Sequence, residues 1–451
     1  MYIFLSILYA IVGGFIFWRL INKNKKNKIV GAYSGLVFGM IIYYIIVPIL
    51  TMLNLNSLSE KYEMVNKFIA NKDIGNYLYV LFIIIVSFLF LELGYILNIN
   101  KINNKKKSEV KIENSLFIKV LKIIAWGTFA IGAISMFLFF NGLGGITEAL
   151  KYGNTARAFY TSLANKMPSY ISILAIPARL VTVSPFLFLW IDSIDNNCRL
   201  KQWNKYFYKI LTIIGFVLSI LYFLYNAGKA PLICFMLSFI VAFLYKYTKR
   251  VWLFLIPLAF LSMPLLDVIE EIFRFLEKDT WKGIQIDYLK YLNQFIFPFR
   301  TLLNVQQINI EFGLRWGKDF ITAILNFIPG VQFPVSYENI SMFYGGEEWR
   351  IKGGVPSDLI TFLYTQFSLL GLPFLFFILG RLLRYIDGGL RNMKENVIAK
   401  LIATTICIHI FIIVSSADFE SIIRGSFILI ILSFLVIISN TNLNFKNRRK
   451  K

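Results

Sequence analysis

The sequence predicts an all-α polytopic membrane protein, and three observations carry that expectation. Of its 451 residues, 57% are hydrophobic and 16% charged, against about 45–50% and about 25% in soluble domains. Apolar runs of about 20 residues, enough to cross about 30 Å of hydrocarbon, recur along the chain. Lys and Arg gather in alternate connections between those runs, as cytoplasmic loops do.

Eleven spans are expected, near 2–21, 31–52, 77–97, 120–140, 168–191, 207–225, 231–245, 251–266, 359–380, 398–416 and 422–440. The connections 19–28, 99–122, 192–209, 246–250, 381–400 and the tail from Lys446 hold most of the 47 Lys and Arg. The connections 54–76, 141–167, 226–230, 267–358 and 417–424 are nearly balanced in charge. The net charge of +22 therefore follows topology, and the nucleic-acid reading that a basic chain invites is set aside. The expected product is a multi-pass protein of the cytoplasmic membrane, with its N-terminus outside and its C-terminus inside. The first span lacks a basic leader and is followed by Arg19 and the Lys23–Lys28 cluster, so it reads as a retained anchor and not a cleaved signal peptide.

Several function classes are excluded. Cys198, Cys234 and Cys407 are too few and scattered for a disulfide framework. The single histidine, His409, leaves no Cys/His zinc site and is expected in the core of its apolar helix. Gly142, Gly144 and Gly145 miss the spacing of a phosphate-binding fingerprint. A soluble nucleotide-binding enzyme is ruled out, and neither metal nor cofactor is expected. Asp192 and Asp195 form one weak DxxD at a cytoplasmic helix end; Asp418, Glu420 and Arg424 share an outer turn, most simply as mutual charge pairing.

Three regions follow: a first transmembrane bundle over 1–266, an extracytoplasmic loop over 267–358, and a last bundle with a basic tail over 359–451. The loop is too long to be an idle connector. Its apolar pieces Tyr288–Val305 and Phe320–Ile328 could lie in the interface, re-enter, or cross as a pair, which would raise the span count to thirteen. Arg300, Arg315, Arg350 and Lys352 are interspersed there with Glu338, Glu347, Glu348 and Asp358, a mixture suited to work on something delivered at that surface.

Cations also stand where helices disfavour them. Lys229, in the outer turn Asn226-Ala-Gly-Lys-Ala-Pro231, lies at a helix N-terminus, where the macrodipole repels a cation but attracts an anion such as phosphate. Arg157 occupies the outer segment Tyr152-Gly-Asn-Thr-Ala-Arg157. Arg179 is mid-span, where an unpaired charge costs at least about 2.5 kcal/mol, so a polar neighbour or a ligand is expected beside it.

Taken together, the turn Asn226–Pro231, the stretch Gly353-Gly-Val-Pro-Ser-Asp358 leading into Tyr364-Thr-Gln-Phe-Ser-Leu-Leu-Gly371, and Tyr152–Arg157 resemble the bacterial oligosaccharide repeat-unit polymerases of the Wzy type, which make O-antigen or capsule. Lys229 stands where that family usually has Arg, Gln366 for Asn and Ser368 for Gly. Phe362 stands where many members have Glu. The resemblance implies a GT-C-like bundle and a glycosyltransferase that lengthens a chain carried on undecaprenyl diphosphate, at the outer face, without a nucleotide. It implies partners in that lipid-linked oligosaccharide, the bilayer, a chain-length regulator and a flippase. On this reading Arg157, Lys229, Arg300, Arg350, Lys352 and Arg179 are candidate diphosphate or sugar contacts. Asp358 is the first candidate base and Glu348 the second, while Tyr364 orients a sugar or faces the bundle. The rivals are a lipid-linked oligosaccharide flippase and a glycan ligase of the same fold. A membrane acyltransferase is disfavoured because His409 lacks an acidic neighbour, and an ion-coupled transporter because no intramembrane acid is evident.

Overall fold

The computed structural model describes residues 1–24, 30–97, 115–149, 169–195, 202–225, 229–244, 287–326, 333–346, 355–393 and 397–448, with isolated positions at 264, 265, 267–269, 271 and 328. Every regular element among them is helical. The main ones, in chain order, are α1 (Tyr2–Asn24), α2 (Ala32–Leu53), α3 (Ile74–Ile96), α4 (Ser115–Gly142), α5 (Ser169–Ala178), α6 (Ser184–Asp195), α7 (Gln202–Tyr225) and α8 (Lys229–Leu244). There follow α9 (Tyr288–Phe295), α10 (Phe297–Leu303), α11 (Val305–Phe312), α12 (Lys318–Leu325), α13 (Ser336–Gly345), α14 (Leu359–Asn392), α15 (Val397–Ser415) and α16 (Phe427–Arg448).

Among the described residues eight segments are long and apolar enough to cross a membrane, and they coincide with expected spans: Tyr2–Lys23, Ala32–Leu53, Ile74–Ile96, Phe117–Gly142, Ile173–Ile194, Tyr206–Tyr225, Leu359–Arg391 and Val397–Ser415. The spans expected at 231–245 and 422–440 are shorter apolar helices, Pro231–Leu244 and Phe427–Ser439. The span expected at 251–266 lies almost entirely outside the described residues. Among the described residues neither apolar piece of the long loop forms a helix long and apolar enough to cross. Tyr288–Val305 breaks at Ile296, two residues before Pro298, and again at Asn304, leaving the short helices α9 and α10, and α12 has eight residues, about 12 Å of helix. Among the described residues no helix pair for a count of thirteen is found there.

The compact units interleave along the chain. Unit 1 gathers Met1–Leu97, Ile286–Asp387 and Cys407–Arg424, and unit 2 the remainder. In unit 2, α5 carries Pro177 in its last turn and passes after Ala178 into a 3-10 turn, Arg179–Thr182, the irregularity expected where proline removes a backbone donor. The Arg179 Nε donates to the Tyr222 hydroxyl at 2.5 Å, the polar neighbour that its mid-span position called for.

Unit 1 is fastened at one end by charge. Glu92 of α3 accepts from Arg19 Nη2 at 2.8 Å, from Lys23 Nζ at 3.2 Å and from the Tyr33 hydroxyl. The Lys23 ammonium lies 3.7 and 3.8 Å from the ring centroids of Tyr33 and Tyr95, a two-sided cation–π contact. Asp387 of α14 accepts from Ala32 N at 2.6 Å and the Tyr95 hydroxyl at 2.8 Å, so the first turn of α2 is capped by another helix. Asp387 falls in the expected connection 381–400 and Glu92 near the end of its helix, and each is held in a polar set.

Close helix contact adds to that lock. A Cβ on Gly94 would stand 2.1 Å from the Phe377 carbonyl oxygen, and one on Gly380 would stand 2.2 Å from the Leu91 carbonyl oxygen. Glycine on both sides lets the α3 and α14 backbones touch, as small residues do between membrane helices. Gly94→Val is expected to separate them at a cost of at least about 1–3 kcal/mol, read as a lower melting temperature of detergent-purified protein, with Gly14→Ala, where no heavy atom lies within 4 Å, as the unchanged control.

Candidate functional site

Among the described residues of unit 1, the candidates Asp358 and Arg300 lie near the start of α14, joined through Thr301. Asp358 is its N-cap residue and is wholly enclosed, with 0% exposure. Its Oδ1 accepts from Ile360 N at 3.1 Å, Thr361 N at 3.0 Å and the Tyr44 hydroxyl at 2.6 Å; its Oδ2 accepts from Thr301 Oγ1 at 2.5 Å. Two of those bonds satisfy free N–H groups of a first helical turn, as an N-cap aspartate does. The other two bring in α10 and α2, where Tyr44 sits in a π-helical turn, Ile42–Ile46. Burial pushes the carboxyl above its ordinary pKa, while the Thr301 and Tyr44 hydroxyls and the Thr361 N–H act in the opposite direction.

Asp358 is thus a positioning group. The expectation that it serves as a proton acceptor meets a carboxylate already engaged by four protein donors and closed to solvent. The second candidate base, Glu348, lies outside the described residues, as do Arg157, Arg350 and Lys352; the side chain of Lys229 lies outside them too.

Next to Thr301 is Arg300, the one diphosphate candidate of the long loop that falls within the described residues. It is 8% exposed, its guanidinium carbon lies 4.7 Å from the Tyr344 ring centroid, and its Nε finds no hydrogen-bond partner. Among the described residues no carboxylate pairs with it. Burial pulls its pKa below the usual guanidinium value, with Tyr344 acting the other way. The backbone here is rigid: the Arg300 carbonyl accepts from the Tyr344 hydroxyl at 2.9 Å and from Asn304 Nδ2 at 2.8 Å, and Asn304 Nδ2 also reaches the Phe68 carbonyl at 3.0 Å. Asn304 Oδ1 is a further buried atom without a hydrogen bond. A buried charge without a counter-charge is costly, and a guanidinium in that state suits an oxyanion, which it binds through two parallel N–H donors.

Further along, α14 is broken. Ser368 has φ 58° and ψ −164° inside the helix, a region open almost exclusively to glycine. The carbonyls that the break leaves free are taken up by a loop: Arg315 N donates to the Thr365 carbonyl at 3.0 Å and Trp316 N to the Gln366 carbonyl at 2.8 Å. Side chains reinforce the junction. Asp319 accepts from Arg315 Nε at 2.9 Å, Ser336 N at 3.0 Å, Gln366 Nε2 at 2.8 Å and the Ser336 hydroxyl. Tyr364 is buried, with its hydroxyl 2.6 Å from that of Tyr79, so it faces the bundle.

A scan against protein-family models finds no match, and comparisons with curated proteins and with solved structures find none either. The site therefore stands on its own chemistry.

Two residues singled out by the sequence lie apart from this cluster. His409 is buried as expected, but its Nε2 has no partner among the described residues. Glu420 accepts from Asn326 Nδ2 at 2.7 Å. Sequence reasoning missed Tyr44, Thr301, Tyr344, Arg315's acceptor Asp319, and Ser336. Asp358 as a cap was the one readable signal, since an aspartate immediately before an apolar helix is a start signal.

The strain at Ser368 has a measurable sign. Ser368→Gly is expected to raise the melting temperature and Ser368→Val to lower it, within the ~1–3 kcal/mol that such backbone positions cost; a lower melting temperature for the glycine variant would contradict the assigned backbone. Asp358→Ala is expected to destabilise by about 1–3 kcal/mol or more, because buried donors are left unpaired, while Asp358→Asn retains an acceptor and loses less.

Proposed function

We propose that this protein is an oligosaccharide repeat-unit polymerase of a GT-C-like architecture, joining undecaprenyl-diphosphate-linked units into surface polysaccharide at the outer face of the cytoplasmic membrane. The observation that carries the proposal is Arg300, a buried guanidinium without a counter-charge among the described residues, beside the capped start of a broken membrane helix. In the proposed reaction an acceptor sugar hydroxyl forms a bond to the anomeric carbon of the donor chain. The bond from that carbon to the phosphate oxygen breaks, and lipid diphosphate leaves with the electron pair. The hydroxyl proton passes to a base, for which Glu348 is the proposed residue now that Asp358 is engaged as a cap.

Charge developing on the departing diphosphate needs fixed cations already in place. Arg300 would supply one, with Arg350 and Lys352 of the same stretch of chain as the further proposed contacts. No nucleotide enters this scheme, in keeping with a sequence that lacks phosphate-loop fingerprints. A ligase would share the donor and the clamp and differ in its acceptor. A flippase would move the same lipid without chemistry.

The test uses purified protein in liposomes with a defined lipid-diphosphate oligosaccharide and no nucleotide. A ladder of lengthened products is expected. Arg300→Met is expected to slow it by at least about 100-fold, the scale of losing one preorganised charge contact to a transition state, and Arg300→Lys to recover part of the rate. Thermal stability should hold or rise in Arg300→Met, because a buried unpaired charge is removed. An unchanged ladder in Arg300→Met would refute the clamp, and unaltered substrate on the opposite leaflet would indicate a flippase.

A further inference from the structure

Helix α12 is amphipathic in the inverted sense. Its inward face carries Asp319, 1% exposed, and Ala323, and Asp319 is fixed by Arg315, Ser336 and Gln366 inside unit 1. Its outward face carries Ile321 and Ile324, 64% and 61% exposed, and just beyond the helix end Ile328 is exposed as well. In water, burying an aspartate while presenting a row of isoleucines at i, i+3 and i+7 contradicts the ordinary pattern of a surface helix. That arrangement is favourable only where the medium outside is itself apolar.

Neighbouring surface identifies the medium. The loop that opens α12 is hydrogen-bonded to the Thr365 and Gln366 carbonyls of α14, and the Phe320 ring packs on Phe362 and Phe419, at 5.7 and 5.0 Å between centroids. Directly after the break, α14 presents Leu370, Phe374, Ile378 and Leu382 outward at four-residue spacing, the stripe of a helix in candidate span Leu359–Arg391. Leu370, at the break, is 92% exposed. Trp316 is exposed at the start of the loop, and Lys318 follows at the first turn of α12. An indole and a long-stemmed cation at the edge of an apolar row are the side chains that settle at a headgroup boundary.

We infer that α12 lies flat in the bilayer as a non-crossing segment, with Ile321, Ile324 and Ile328 seated against phospholipid acyl chains of the leaflet at the Asp358 end of α14. This goes beyond the glycosyl-transfer reading and does not depend on it. Its consequence is positional. The polar junction at Ser368 and the capped start of α14 sit behind a lipid-immersed helix, so a lipid-borne headgroup would meet this end of unit 1 from within the leaflet.

The test uses the full chain in phospholipid nanodiscs, with Cys198, Cys234 and Cys407 replaced and a spin label placed singly at Ile321→Cys, Ile324→Cys, Leu370→Cys or Gln307→Cys. Gln307 is an exposed polar position whose side chain accepts from Lys72, and serves as the water-facing control. Labels at 321, 324 and 370 are expected to show an oxygen-to-nickel-chelate accessibility ratio several-fold above that at 307. In parallel, the unsubstituted chain with a diazirine-bearing phospholipid is expected to give adducts within 316–328. Nickel access at 321 and 324 equal to that at 307 would overturn the inference in favour of a water-facing surface. Exclusion of both reagents, with no lipid adducts, would overturn it in favour of a protein cover.

Discussion

The Asp358 carboxylate is the constraint on which the described part of unit 1 turns. One buried side chain ends the free N–H groups of α14, receives the Tyr44 hydroxyl from α2 and receives the Thr301 hydroxyl from α10. Three segments far apart in sequence are thereby brought to one point by bonds that water cannot replace, since the residue is closed to it. Arg300 precedes Thr301 by one residue, so the same bond that fixes Thr301 fixes where the guanidinium leaves the backbone. Tyr344 holds it from the other side, through its ring and through its bond to the Arg300 carbonyl.

Polar order of this kind is uneven across unit 1. At the Glu92 and Asp387 end the charges find partners, and the effect is a fastening of α1, α2, α3 and α14. At the Asp358 end the helix itself is interrupted, two carbonyls are satisfied by a loop, and among the described residues a cation is left without an anion. Irregular backbone at membrane depth is tolerated where it is buried in protein, and strained positions gather where the surrounding structure over-determines them. One end is built to hold, and the other carries the cost that a binding function would recover.

Much of the fold was legible because hydrophobic span length is a one-dimensional property. Eight spans read from apolar runs coincide with long helices, whereas the Tyr288–Val305 run did not translate, because breaks at Ile296 and Asn304 divide it into short helices. The site was legible only in part. Arg300 and Asp358 stood out by residue type, yet nothing local distinguishes Arg300 from Arg315, which turns out to be paired with Asp319. Tyr44 lies in an apolar run more than three hundred residues from its partner, so no spacing rule could join them. The Ser368 break carried no local mark, since a serine inside an apolar run gives no sign of a positive φ.

The central claim is that the guanidinium of Arg300 is held ready for a phosphate-bearing anion, and ligand-induced thermal stabilisation tests it most directly. Undecaprenyl diphosphate would be titrated into the detergent-purified chain and into its Arg300→Met variant, with undecaprenol as the uncharged reference. A saturable rise in melting temperature with the diphosphate, absent with undecaprenol and lost in the variant, is the expected result, because a ligand that binds only the folded state stabilises it by mass action. An equal rise in both proteins, or none in the native chain, would contradict the account.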